Sequence, residues 1–373
     1  MKSKPIVHLA QSIAIMAILL LAGSCLEYTV ITTVNRDGSL VREYTVKGDS
    51  SDISKGSLMI PSGNQWRITG GFDKEDTQKD AKDKQYVYTA SRKFNTVAEF
   101  KEWLASDTAS GTIKIKVNLN KHFRWFYTYY EYTEFYPMTF PFRKVPVDSF
   151  LTGIEQSVMM EDGRTVYSPT EKKMIWKGDT LSFQYNHADS VEIEKISDFC
   201  GEKLELWMTS AIVSEFADIV KSNSISDPSL SDITNKLSQH IAIIRKKAFS
   251  SGDSSVTKLL VFMGDSLTHS NKLSDFYTHN PQVFSDFEYK IKLVDEKDYS
   301  DDYEYSLSMP GQVFSTNAFK RDRIRLNWKF GPMQFFMKDF EMKAESRVAN
   351  FWIMICTAIF AAGLLLILIV KRR

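Results

Sequence analysis

The segment from Phe351 to Val370 contains no charged residue and leads into Lys371-Arg372-Arg373. A helix of that length rises about 30 Å, the thickness of a bilayer's hydrocarbon layer. So long an apolar stretch constrains the chain more than any other feature, because it favours a spanning helix behind a soluble part. Trp352 stands at one end, where an indole prefers the interface, and three cations close the other. The positive-inside bias then places residues 371–373 in the cytoplasm. Lys338, Lys343 and Arg347 precede the segment but are interleaved with Asp339, Glu341 and Glu345.

The front of the chain carries a second membrane signal. Lys2 and Lys4 precede an apolar run from Ile13 to Leu21, which ends in Ala22-Gly23-Ser24-Cys25. An apolar core of about ten residues is too short to span, so residues 1–24 read as a signal peptide. Small residues before a cysteine resemble a bacterial lipobox, with Ala22 where such boxes usually carry Leu. The resemblance implies acylation of Cys25; a plain secretory signal with a chance cysteine is the alternative. Spanning helices belong to inner membranes, since outer membranes host barrels. The expected location is therefore the bacterial inner membrane, with the soluble domain on the periplasmic side. A spanning helix matters there because one acyl chain alone binds marginally.

Composition narrows the rest. The 373 residues carry a net charge of +1, which gives no ground for a nucleic-acid partner. Of the three cysteines, Cys25 and Cys356 belong to the membrane segments. Cys200 is left alone, so an internal disulfide or a cysteine-based zinc cluster is not expected.

Patterning divides the soluble part. Glu27 to Val34 and Leu40 to Lys47 are β-rich around Asn35-Arg36-Asp37-Gly38, a hairpin signal. Residues 70–85 read as a solvated loop and Tyr86 to Phe94 as a strand. Thr96 to Glu99 reads as a capping box opening a helix through Leu104. Ile113, Ile115, Val117 and Leu119 alternate with polar residues as in a half-buried strand. From Phe123 to Phe142 aromatics crowd both faces of a strand. Either that run is covered on both sides, or one face, with Phe123, Trp125, Tyr127 and Tyr129, is left for a ligand or lipid.

Between Val147 and Asn280 the period becomes helical. Ile193 to Ile219 reads as one long amphipathic helix, and Asp227-Pro228 opens another bearing Leu230, Ile233, Leu237, Ile241 and Ile244. His240 adjoins that face and reads as a packing histidine rather than a ligand. Strands are expected again at Phe284 to Val294, Tyr303 to Met309, Arg323 to Lys329 and Lys338 to Ala344. The acidic run Asp295 to Glu304 lacks EF-hand spacing and reads as a solvated loop.

Catalytic motifs are sparse. Leu259 to Thr268, with Gly264-Asp265-Ser266-Leu267, resembles the first block of GDSL-type hydrolases, in which a strand delivers a serine nucleophile onto a turn. No later block supplies a base and its orienting carboxylate, and His269 and His279 do not fit. There is no phosphate loop, zinc-protease motif or dinucleotide fingerprint, so no cofactor and no metal site is expected.

A further resemblance involves Met309-Pro310-Gly311-Gln312-Val313-Phe314-Ser315-Thr316-Asn317-Ala318 and the following Arg323 to Trp328. These are similar to a Pro-Gly…Ser-Thr-Asn…Trp pattern of LppM-type bacterial lipoproteins, and Asn35 to Ser39 is similar to their first hairpin. The resemblance implies an envelope protein with a mixed α/β extracytoplasmic domain and a C-terminal spanning helix, able to bind lipid or an apolar ligand. Pro310-Gly311 then reads as a turn and Trp328 as a core aromatic.

The expectation is an α+β fold: a mostly antiparallel sheet with an inserted helical subdomain and one C-terminal transmembrane helix. Residues 25–146 form its β-rich first part, 147–282 the insertion, 283–349 a β-rich return to the same sheet, 351–370 the spanning helix and 371–373 the tail. The expected role is non-enzymatic, with the bilayer, a lipid ligand or an envelope protein as partner. A hydrolase using Ser266 and a purely structural envelope component are the alternatives.

Overall fold

The computed structural model describes residues 26–49, 53, 61, 63–72, 85–106, 114–160, 165–176, 187–223, 228–248, 256–295, 302–322 and 325–372. The signal-like segment and Cys25 lie outside these residues, as do 73–84 and 296–301. The described residues fall into two compact units, one within 1–137 and 298–373, the other within 138–297.

The first unit opens with β1 (Glu27–Val34) and β2 (Leu40–Gly48), antiparallel about the expected turn. Gly38 sits at φ 95°, where a side chain is strained, and the Asp37 carboxylate accepts the Ser39 amide at 2.9 Å. Next come β3 (Arg67–Phe72) and β4 (Tyr86–Phe94). β3 claims the first residues assigned above to a solvated loop. It is an exposed edge strand whose two glycines give little strand signal. In α1 (Val97–Ser106) the Glu99 amide donates to Thr96 Oγ1 at 3.2 Å. The Glu99 carboxylate reaches back to the Asn95 amide at 2.9 Å, one residue earlier than a standard box. β5 (Lys116–Arg124) and β6 (Tyr127–Tyr136) follow as a hairpin.

The second unit is mainly helical. It contains α2 (Gly153–Met160), a ribbon of β7 (Thr165–Ser168) and β8 (Lys173–Trp176), and the long α3 (His187–Asn223). Then come α4 (Pro228–Gln239), α5 (Ile241–Ala248), α6 (Val256–Thr268), α7 (Lys272–His279) and α8 (Ser285–Asp295). The stripe from Leu230 to Ile244 is split at His240, whose amide closes a turn on Leu237 O at 3.0 Å. Its Nδ1 lies 2.7 Å from Lys236 O, the satisfied state expected of it. Aromatic rings build the core: Phe140 meets Trp207 at 4.6 Å, and Phe142 meets Phe287 at 5.5 Å. The Trp207 indole donates to Val145 O at 2.8 Å.

The strand expected over Phe284 to Val294 is instead α8, preceded by a 3₁₀ turn. Phe287, Tyr289 and Ile291 alternate as in a strand, but Phe284, Phe287 and Ile291 also lie on one helical stripe. The second pattern prevails, because those three are buried and Tyr289 is exposed.

The chain re-enters the first unit through β9 (Asp302–Ser308), β10 (Gln312–Thr316), β11 (Lys320–Asp322) and β12 (Arg325–Phe330). After α9 (Pro332–Met337) it completes β13 (Phe340–Ala349) and α10 (Phe351–Arg372). One sheet has the order β11-β12-β9-β1-β2-β4-β3 and the other β10-β13-β6-β5. Every pair is antiparallel except β1 with β9, so the sheets are antiparallel-rich, as the patterning implied. Gly311, at φ 78°, turns the chain from β9 to β10 and lies so close to Arg347 O that a Cβ would collide with it. Asn317 Oδ1 accepts from the Trp328 indole at 3.2 Å and from the Lys343 amide at 2.8 Å. The Ser-Thr-Asn…Trp pattern is thus a staple between β12 and β13.

Inward side chains of both sheets meet in one hydrophobic cluster. At its centre Arg42 on β2 donates to both oxygens of Glu134 on β6, at 2.7 and 2.9 Å, and both residues are fully buried. Tyr132, Tyr136 and Tyr305 donate to the same carboxylate at 2.5, 2.7 and 2.7 Å. Burial pushes the Glu134 carboxyl up. The adjacent guanidinium and these hydrogen bonds outweigh that and hold it below its ordinary value. Burial lowers Arg42, but the Glu134 charge overcomes it and the net shift is well upward. This pair fixes the two sheets across the core.

Candidate functional site

β6 alternates strictly. Thr128, Tyr130, Tyr132, Glu134 and Tyr136 face inward, and Tyr127, Tyr129, Glu131, Thr133 and Phe135 face out. Tyr130, Tyr132, Tyr136, Phe140 and Phe142 of the aromatic run are therefore core, and Tyr127, Tyr129 and Phe135 are half-buried. At its front end Phe123, Trp125 and Phe126 are 59%, 61% and 39% exposed.

Trp125 and Phe126 form a two-residue turn between the paired Arg124 and Tyr127. Trp125 takes φ 35°, a conformation that hairpins usually give to Gly or Asn. Asn350, the residue after β13, holds the turn. Its amide donates to Phe126 O at 2.8 Å, and its Nδ2 donates to Trp125 O at 2.9 Å. Its Oδ1 accepts Thr128 Oγ1 at 3.0 Å. The same residue caps α10, since its carbonyl accepts the Ile353 amide at 3.0 Å. The hairpin turn is thereby hydrogen-bonded to the residue from which α10 starts. Ile353 is buried, so the first turn of α10 packs onto the unit.

Behind the turn the outer face carries rings and cations. The Arg124 guanidinium lies 5.5 Å from the Tyr129 ring centre, and that of Arg347 lies 5.0 Å from Tyr127. Phe314 on β10 meets Tyr129 edge-on at 6.0 Å. Residues 123–130 and 346–352 contain no acid; the flanking Glu131 and Glu345 are cross-strand partners further from the turn.

Of the four aromatics that the sequence leaves either covered or facing a ligand, Phe123 and Trp125 are at the exposed tip, while Tyr127 and Tyr129 lie half-buried on the outer face. Phe123 pairs with the inward-facing Thr128, so it lies on the other face of the hairpin from Tyr127 and Tyr129. Two open clefts lie elsewhere, one around Trp66, Trp103 and Arg92, the other around Ser266, His269 and Tyr277. Sequence reasoning gave no part in this site to Asn350, Phe314 or the two arginines. An Asn directly ahead of the apolar run was the available signal, as a capping residue.

Ser266 lies inside α6 and is exposed there, so it is not on the strand-to-turn junction that the GDSL-type block requires. Helical N–H groups are spent on helix carbonyls, leaving no adjacent donors for an oxyanion. The neighbouring residues have structural roles. Asp265 accepts the Leu273 and Ser274 amides at 2.9 and 3.0 Å, and a Cβ on Gly264 would lie 2.5 Å from Leu273 Cδ2. The Cys200 thiol is buried and pushed up to about 11 by desolvation, with Glu155 adding to the shift. Such a thiol is a poor nucleophile.

No protein-family model and no curated protein matches the chain. Among solved structures it is similar to the folded domain of the Mycobacterium tuberculosis LppM protein, determined by NMR. The identity is 11% and the TM-score 0.29, over 88% of this chain and 92% of that one. The likeness is weak and transfers no residue role.

Proposed function

We propose that the chain is a non-enzymatic bacterial envelope lipoprotein. It is acylated on Cys25 and held to the cytoplasmic membrane by α10, with its soluble domain in the periplasm and residues 371–373 in the cytoplasm. In this reading the domain binds a lipid, another apolar ligand or an envelope protein.

The observation that carries the proposal is the joint at Asn350. Among the described residues α10 is the one helix long and apolar enough to cross a membrane. One residue, Asn350, separates it from β13 and is bonded to the hairpin turn, which suits a domain held close to a bilayer. The helical setting of Ser266 weighs for a binding rather than a hydrolytic role.

Labelled palmitate should enter the full chain and be lost on Cys25→Ser, and a reporter fused after Arg373 should be active in the cytoplasm. Absence of the label would remove the acyl anchor from this reading, and a reporter on the outer side would reverse the topology. Mass spectrometry of the detergent-extracted protein should detect a co-purifying lipid or protein.

A further inference from the structure

The exposed end of the β5–β6 hairpin has no explanation in the core. Phe123, Trp125 and Phe126 are three consecutive or near-consecutive large apolar side chains held in water at the tip of a rigid hairpin. The turn would be less strained with glycine at the positive φ of Trp125, so local backbone chemistry does not ask for an indole there. Its position is fixed by three hydrogen bonds to Asn350, next to Phe351 and Trp352, which are themselves 71% and 67% exposed. Aromatic rings at this level match the belt that membrane proteins place at the lipid–water boundary. Arg124 and Arg347 lie on the same end of the sheet, with no acid in residues 123–130 or 346–352 to neutralise them.

We propose that the Phe123–Tyr127 tip is a second membrane contact, one that enters the interfacial layer beside α10 and sets Arg124 and Arg347 against anionic lipid phosphates. The inference rests on the reading of α10 as the spanning helix. The occupant is the bilayer surface itself, because the joint at Asn350 puts the turn at the depth where that helix enters. Two contacts side by side, one a helix and the other a hairpin, hold the four-stranded sheet at a fixed attitude to the membrane. A helix on a free linker would let the domain swing.

The test uses the full chain reconstituted in phosphatidylcholine vesicles, with and without phosphatidylglycerol. An environment-sensitive fluorophore is placed at Trp125→Cys or Lys116→Cys, each combined with Cys356→Ser, or on the native Cys356. Lys116 is exposed at the far end of β5, eight residues from Arg124, or about 26 Å along the strand. The expected result at position 125 is blue-shifted emission and quenching by lipids spin-labelled near the headgroup, with protection from an aqueous quencher. Position 116 should show the reverse. A probe at 125 as open to water as the one at 116, with Cys356 protected, overturns the hairpin contact and leaves the anchor standing. A water-accessible Cys356 overturns the anchor, and the inference with it. Phosphatidylglycerol should strengthen lipid quenching at 125, and Arg124→Gln/Arg347→Gln should abolish that gain. An undiminished gain in the double variant overturns the role given to the arginines.

Discussion

The aromatic run beginning at Phe123 contains two regions that look alike in sequence and differ in every physical respect. From Tyr130 to Tyr136 the inward tyrosines are at most 2% exposed, and Tyr132 and Tyr136 bond to a buried carboxylate. From Phe123 to Phe126 the rings stand in solvent on a turn held by Asn350. Aromatic content alone does not reveal a binding surface; the depth of each ring in the sheet does. The buried region serves stability and the exposed one is free for a partner. That division predicts a steep gradient of mutational effect along a single hairpin.

The largest effect is expected at Glu134. Removing its carboxylate leaves Arg42 charged and unpaired in the core, so Glu134→Ala should cost about 3–5 kcal/mol. Thermal unfolding of the first unit, followed by near-UV circular dichroism in detergent, reads this directly. Replacing both partners, Arg42→Met with Glu134→Leu, should recover much of the loss, because the uncompensated charge is gone. Wild-type stability in Glu134→Ala would break the contrast between the two regions.

The same carboxylate gives a pH signature. Its folded pKa lies below the ordinary value of 4.5, so its contribution is fully present above that value. The contribution is lost as pH falls through the folded pKa. The wild type should therefore lose stability with acid more steeply than the double-replacement variant, an outcome read from paired melts across the acid range. Tyr132→Phe, which removes one charge-assisted donor, should cost about 1.5–3 kcal/mol.

How much of this was legible follows the same line. β1, β2 and β4 were readable because alternation and turn residues agree, and the α+β class followed from the change of period near Val147. β3 was not, since Arg67–Phe72 is an exposed edge with no buried stripe. α8 reads as a strand in sequence because its residues satisfy two periods at once, and only packing decides between them. The Arg42–Glu134 pair lies 92 residues apart on different sheets, so no local pattern could announce it. Gly264 and Asp265 imitated a catalytic block because close helix packing and helix capping draw on the same small and acidic residues. The sequence leaves Phe123, Trp125, Tyr127 and Tyr129 either covered or facing a ligand, and the setting of the turn beside Asn350 depends on a residue more than 200 positions away.

Asn350 lies between the two extremes. Asn350→Ala removes the side-chain bonds to Trp125 O and Thr128 Oγ1 while keeping the backbone bond to Phe126 O. The expected cost is about 1 kcal/mol in the melt of the first unit. Hydrogen exchange at residues 123–128 should rise while exchange in the β6 core stays unchanged. Equal acceleration along the whole strand would mean that the joint supports the fold and not the tip alone.

The smallest effect on folding belongs to the tip itself. Phe123→Ser and Phe126→Ser should each change stability in detergent by no more than about 0.5 kcal/mol, as at other exposed sites. Trp125→Gly should be neutral or stabilising, because glycine accepts φ 35° without the roughly 1–2 kcal/mol that an L side chain incurs in left-handed backbone. Calorimetry of the three variants beside Glu134→Ala puts the whole gradient on one scale. Destabilisation by Trp125→Gly would show that the indole packs as part of the core. A rise in melting temperature would show that stability is sacrificed to keep a tryptophan at this turn, as expected where a side chain is aimed at something outside the protein.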